Sequence, residues 1–546
     1  MELLNTDILV IGKGIAGLMA SWCARKSGAK VIVLGLGGGA SGWLQGVNIA
    51  LGHADPTDSP KVHAQDLLRE GCHINDPELV HDTVEAAIPA FLELVNQGVE
   101  FAREDGIFLQ RLSSGSTYPR CCYVPAMMWG PKAARVLSAA LKANGVEFMR
   151  LRAIRLFAAS GRVCGVVAVS PRGRRVTVIG AKAVIMASGG VGGLFARSTY
   201  PNDVAGSTYA MAAHVGAALA DMEFIQFEPL VGFNPAAIRG YVIPTTLFGD
   251  GATMRDVAGR RFLLESRPQG EAGIGKEDLV RQMARMREEA RTLKSGGVWL
   301  DATTVSSAAL ASYPWLSKFM RRHSIDMTRD KVEVWPAAHT CLGGLIVDRE
   351  RHSTVPGLYA VGEAAAGVHG AGRLAGGSGT DVLASGYIAG KAAAEAAKGR
   401  FAVSDRDMLE AMRDVVDPDA PVCCETDESL TRTAEEAADI LAEAAGMVRD
   451  GEALECASRR LDHLLRDVRT GGLCHPAAMR LRVFDRLLVS DIIVKAALRR
   501  RESRGAHLRR DFPECDERFS RSLLSALPDV QAEMFLASIT SEALKC

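Results

Sequence analysis

The sequence predicts an α/β fold: a sheet-centred domain delivered in two stretches, an α+β insertion between them, and a helical region after them. Three observations carry this reading. A strand–glycine turn–helix–strand unit lies within residues 7–34. Apolar strand-like runs return after residue 340, following a middle of different character. Beyond about residue 400 the apolar spacing is that of helices. The divisions are expected at 1–230, 231–333, 334–400 and 401–546.

Taken in order, Asp7 to Ile11 (DILVI) is a short apolar run suited to a buried parallel strand. Gly12-Lys13-Gly14-Ile15-Ala16-Gly17 follows and opens the helical stretch LMASWCARKSG, and Lys30 to Leu34 (KVIVL) is the next strand. Residues 134–144 read as a helix, and 146–157 and 162–170 as two strands across a Gly-Arg turn. Ala181 to Ala187 is another strand, ending in Ser188-Gly189-Gly190. The middle, near 230–333, mixes Gly-rich turns with the charged helical stretch KEDLVRQMARMREEARTL. Strands are then expected at 343–348 and 357–362, so the chain rejoins its first sheet. Thr433-Ala434-Glu435-Glu436 has the spacing of a helix-start capping box, and 452–468 and 477–501 continue the helical pattern.

Composition excludes several classes. The 546 residues carry 64 basic and 64 acidic side chains, a balance unsuited to a nucleic-acid or charged-membrane binder. Hydrophobic residues make up 48% and charged residues 23%, as in a packed globular chain. The 12 Cys form no CxxC pair, and the doublets Cys121-Cys122 and Cys423-Cys424 are poor metal sites, so no metal is expected. No charged-then-apolar leader and no run of about 18 apolar residues occurs, which predicts a cytoplasmic protein without a membrane span.

The glycine turn is where chemistry first becomes legible. Glycines let a backbone approach a pyrophosphate, and the free N–H groups of the following helix start face the anion. Leu34 is followed by Gly35, so the acid that a nicotinamide dinucleotide's ribose wants at this point is missing. A second element, GLYAVGEAAAGVHGAGRLAGGSGTDVLASGYIAG at 357–390, ends a strand in Gly362-Glu363, where Glu363 is suited to a ribose hydroxyl. Its Gly/Ser-rich loop then enters a small-residue helix. A late strand–loop–helix beside an N-terminal glycine turn resembles a two-part, Rossmann-like FAD-binding domain.

Further motifs narrow the resemblance: Gln45-Gly46, AKAVIMASGG at 181–190, Met222-Glu223-Phe224-Ile225-Gln226-Phe227, Val334–Gly344 and RESRGAHLRRDFP at 501–513. With the two glycine elements, these resemble the flavoprotein subunit of the fumarate reductase and succinate dehydrogenase family, which also holds L-aspartate oxidase and the adenylylsulfate reductase α subunit. The resemblance spans almost the whole chain. It implies FAD, a capping domain over the flavin, and a C-terminal helical domain. It implies that Gly12, Gly14, Ala16, Gly17, Ser41, Gln45, Gly46, Ala187, Ser188, Gly189, Glu363, Arg373, Ser378, Thr380 and Val382 hold the cofactor. Many relatives attach FAD through a His after the second strand; Gly39-Ala40-Ser41-Gly42-Trp43 has none, which implies non-covalent FAD.

The family chemistry is hydride transfer between flavin and a carbon beside a carboxylate. His339, in PAAHT, and Arg373, in HGAGRL, match the substrate-holding His and Arg. A guanidinium suits bidentate grip of a carboxylate. Other parts differ. Glu228 stands where the family has the His of His-Pro-Thr, and a carboxylate there repels a dicarboxylate or pairs with an internal cation. The relay Glu and Arg fall on Thr245 and Phe248. The proton-delivering Arg aligns with Glu277, or with Lys276 if the alignment slips by one residue. Arg255 is a candidate replacement cation, Arg120 lies on a loop that in the family is close to the substrate, and the basic run Arg499–Arg510 reads as a solvated or salt-bridged face. These departures imply a carboxylate-bearing substrate other than plain fumarate or succinate. The alternatives are an adenylylsulfate-reductase-like or L-aspartate-oxidase-like flavoenzyme, or a flavin electron-transfer subunit with a lapsed pocket. The resemblance also implies an iron–sulfur partner subunit, through which the chain would sit at the membrane periphery.

Overall fold

The structure, a computed structural model, describes residues 2–125, 128–171, 175–400, 402–413, 428–470 and 477–526. The Cys423-Cys424 doublet and parts of 401–546 lie outside the described residues. The central sheet is parallel across Glu147–Met149, Val31–Leu34, Glu2–Ile11 and Val176–Met186, in that order. Arg162–Val169 and Arg152–Ala159 then extend it antiparallel. Leu358–Ala360 returns to pair in parallel with the end of Val176–Met186, Val184 opposite Leu358. The chain therefore rejoins its first sheet after the insertion.

Continuous apolar strands need cover on both faces, because successive side chains point to opposite sides. Ile8 and Val10 face a layer built from the helices Ile15–Lys26, Trp129–Ala143 and Gly377–Ala397. Leu9 and Ile11 face the other way, into a cluster completed by Ser207–His214, Glu428–Ala444, Gly451–Thr470 and Ala477–Arg499. The C-terminal helices thus form the second cover of the sheet.

The insertion makes an antiparallel sheet of Gly232–Asn234, Val332–Val334, Val298–Asp301 and Thr253–Arg255, in that order. Its hydrophobic cluster runs from Leu230 to Trp335 and is separate from those of the main sheet. The chain enters and leaves the insertion on one antiparallel pair, Ile225–Glu228 with Ala337–Cys341. Gln226 pairs with Thr340 and Phe227 with Ala338, so His339 has no partner on the facing strand. Such a bulge re-aims a side chain, and here it re-aims an imidazole.

Two expectations change on contact with the structure. Of 343–348 only Gly344–Leu345 is strand. Thr433 does not cap a helix: Glu428–Ala444 has already begun, and the Thr433 hydroxyl donates back to Ser429 O at 3.0 Å.

The two glycine elements are brought together by one close helix crossing. A Cβ at Gly386 would lie 2.5 Å from Ala16 O, and one at Gly390 2.3 Å from Ala20 O. Only glycine permits this approach of Gly377–Ala397 onto Ile15–Lys26. Gly390→Val is expected to destabilise the protein by about 1–3 kcal/mol through overpacking against backbone, read as a lowered denaturation midpoint. An unchanged or raised midpoint would contradict the packing described.

Candidate active site

One cavity of about 1250 Å³ runs along the carboxyl ends of the parallel strands and under the insertion. A single small-molecule site takes about 300–1,000 Å³, so there is room for a large cofactor and a second molecule. Ile11, Leu34, Ala187 and Val361, each just at or past a strand end, line it. This is where open α/β sheets bind ligands.

At one end, Gly12 holds φ +120°, and a Cβ there would lie 2.1 Å from Ala187 O. The helix Ile15–Lys26 starts with no side-chain cap of its own. Ser41 reaches across, its Oγ accepting from Ile15 N at 3.0 Å. Lys13 lines the same wall. Uncapped N–H groups, a cation and side-chain-free backbone suit a pyrophosphate. Gly12, Gly14, Ala16, Ser41, Gln45, Gly46, Ala187, Ser188, Gly189, Glu363, Arg373, Ser378 and Val382 all line the cavity. The residues present fit FAD.

Two of the expected cofactor residues stand outside the lining. Gly17 packs its helix onto the turn itself, since a Cβ there would meet Gly12 O at 2.1 Å. Thr380 donates its hydroxyl to Asn48 O at 2.7 Å, and Asn48 Nδ2 donates to Ala375 O at 2.8 Å. Thr380 therefore fixes the late loop onto the strand Gly46–Asn48. Glu363 faces the cavity, but its carboxylate already accepts from the Tyr200 hydroxyl at 2.7 Å and from Cys341 N at 2.9 Å. Burial pushes its pKa up to about 7.

At the other end stand Arg373, His339, Glu228 and Lys276. Arg373 is 4% exposed. Its Nη1 donates to Leu374 O at 3.2 Å, its Nε has no partner, and it makes no ion pair among the described residues. A buried guanidinium so poorly matched is a waiting anion site. His339 Nδ1 lies 2.8 Å from Thr199 Oγ1, and its Nε2 lies 3.8 Å from Glu228 Oε2. Burial, and then the Lys276 and Arg373 cations, hold its pKa well below the usual histidine value, so the ring is neutral. Lys276 Nζ donates to Glu228 Oε2 at 2.5 Å.

Two expected catalytic residues are elsewhere. Glu277 does not line the cavity; its carboxylate accepts from Gln226 Nε2 at 2.6 Å, and the same nitrogen donates to Arg373 O at 3.4 Å. Lys276, one residue earlier at the start of the helix Lys276–Glu288, faces the cavity instead. Arg255 is outside the cavity, held by Asp301 Oδ2 at 2.7 Å and Gly259 O at 3.0 Å. Arg120 is fully buried and bound to Asp58 at 2.7 Å and Asp66 at 2.6 Å, an internal ion-pair knot. The run 499–510 is largely salt-bridged: Arg500 is buried against Asp221, Glu223 and Glu502. Cys341 is a buried thiol, its pKa pushed up by burial.

Sequence reasoning missed Thr199 and Tyr200, which hold His339 and Glu363, and also His369. His369 Nε2 lies 3.6 Å from Asp381 Oδ2. His369 stands in the same HGAGRL motif as Arg373, which was the available signal.

The comparisons agree with this geometry. A family model described as FAD binding domain matches residues 7–378, and one described as fumarate reductase flavoprotein C-term matches 434–538. One component of the fumarate reductase (CoM/CoB) of Methanothermobacter marburgensis is 30% identical, over 96% of this chain and 97% of its own. An L-aspartate oxidase from Caulobacter vibrioides is 34% identical, over 93% and 94%. The solved structure of Mycobacterium smegmatis Sdh1 in complex with UQ1 superposes with a TM-score of 0.82 at 28% identity, over 97% and 95%. With the glycine turn, the late FAD element and the bulged histidine, these matches identify an FAD-dependent oxidoreductase. The chain belongs to the flavoprotein family of fumarate reductase and succinate dehydrogenase, which includes L-aspartate oxidase.

Proposed function

We propose that this chain reduces or oxidises a carbon adjacent to a carboxylate, with that carboxylate held by Arg373. The observation that carries the reading is the buried Arg373 guanidinium, without an ion pair among the described residues, in the same cavity as the FAD-binding elements. FAD supplies the hydride carrier, held without a covalent bond. Arg373 binds and orients the carboxylate. His339, neutral and hydrogen-bonded to Thr199, presents Nε2 toward Glu228 and the cavity. Lys276 Nζ carries the proton for the second reacting carbon, and Glu228 holds that ammonium in position. Glu277, through Gln226, supports the backbone of Arg373 and is a positioning residue.

The physiological electrons pass through a separate iron–sulfur protein. What supports this is that the similar Methanothermobacter protein is itself one subunit of a fumarate reductase. No helix among the described residues is long and apolar enough to cross a membrane.

The test is anaerobic photoreduction of the holoenzyme followed by mixing with α,β-unsaturated carboxylates, watching flavin absorbance. Reoxidation is expected; its absence with every carboxylate, and no spectral change on their addition, would leave only the lapsed-pocket electron-transfer reading. Arg373→Met is expected to weaken carboxylate binding by about 2–5 kcal/mol, read by titration of the flavin-loaded variant. Equal affinity in variant and parent would remove Arg373 from the site. Lys276→Met should lower turnover by about 10²–10⁴-fold, whereas Glu277→Gln lowers it by less. A larger loss in Glu277→Gln than in Lys276→Met would reverse the assignment. Acid precipitation is expected to leave all of the flavin in the supernatant, and a yellow pellet would contradict non-covalent binding.

A further inference from the structure

The charges around Arg373 do not suit a dicarboxylate. Two cations face this end of the cavity, the buried Arg373 and the half-buried Lys276. Lys276 is already matched by Glu228 at 2.5 Å, their side chains 13% and 4% exposed. His339 adds no charge, because burial and the neighbouring cations keep it neutral. Asp381 and Glu363 face the same region, the latter close enough to feel Arg373. Arg373 is therefore the cation at this end that is left without an ion pair among the described residues.

The facing wall of the insertion offers no second one. Apart from Lys276, the ionic groups with which it lines the cavity are carboxylates, Asp250 and Glu271, and Asp250 accepts from the Tyr313 hydroxyl at 2.7 Å. That bond and one to Thr246 at 3.0 Å tie up the Tyr313 hydroxyl. Phe248, Pro314 and Trp315 continue this wall as apolar surface. Arg111 lines the mouth, but it is exposed and stacked 3.8 Å over the Tyr123 ring, where water screens its charge.

We propose that the substrate is a monocarboxylate: one negative charge on Arg373, and an uncharged, largely apolar remainder along Phe248, Tyr313 and Trp315. This rests on the carboxylate reading above and adds the charge and polarity of everything beyond that carboxylate. A second carboxylate would be placed against Glu228 or Asp250 and would lose its hydration without gaining a cation.

The test is calorimetric and spectral titration of the oxidised holoenzyme with fumarate, monoethyl fumarate and trans-2-hexenoate. The two monoanions are expected to bind about tenfold or more tightly than fumarate. Glu228→Gln releases Lys276 from its counter-ion, so fumarate should gain about tenfold in that variant while the monoanions change by less than about threefold. If Glu228→Gln does not fold, the ranking in the parent protein decides alone. Fumarate binding as tightly as the two monoanions would overturn the monocarboxylate proposal and leave the carboxylate reading standing. Binding by none of the three, to a holoenzyme that holds its flavin, would overturn both.

Discussion

The structure depends on a helix crossing with no side chains between the backbones. Ala16 and Ala20 of the first helix meet Gly386 and Gly390 of the late one at distances a Cβ would not allow. That contact joins residues 370 positions apart in the chain. The glycine turn before the first helix and the Gly/Ser loop before the late helix thereby open onto one cavity. Asn48 and Thr380 complete the join by tying the late loop to the strand Gly46–Asn48. Without this crossing the two stretches would form separate surfaces, neither able to enclose a flavin.

The reaction end follows from how the insertion is attached. Entry and exit on one antiparallel pair put Glu228 and His339 a few ångströms apart, and the bulge at His339 turns its ring toward the cavity. The helix beginning at Lys276 then brings an ammonium from the insertion onto Glu228. This ion pair spans the main domain and the insertion. Arg373 is supplied from the main domain and keeps its guanidinium unspent.

Much of this is readable in sequence because it is local. The glycine turn, the late Gly-rich helix and the HGAGRL motif each carry their meaning within a few residues. What failed to be readable is non-local or depends on one residue of register. That Glu363 also accepts from Tyr200, 163 positions away, is invisible in its own motif. Arg120 looks functional until Asp58 and Asp66 enclose it. Lys276 and Glu277 are neighbours at a helix start, about 100° apart around the axis, so a one-residue slip exchanges the side facing the cavity for the side facing Gln226. The Thr433 capping pattern misleads because the helix already runs from Glu428, five residues earlier.

A crystal structure of the FAD-loaded protein grown with a monocarboxylate addresses the arrangement most directly. The carboxylate density is expected against the Arg373 guanidinium, with the Lys276–Glu228 pair intact beside it. Density for the carboxylate elsewhere in the cavity, or an Arg373 side chain turned onto an internal acid such as Glu363 while ligand is bound, would contradict it.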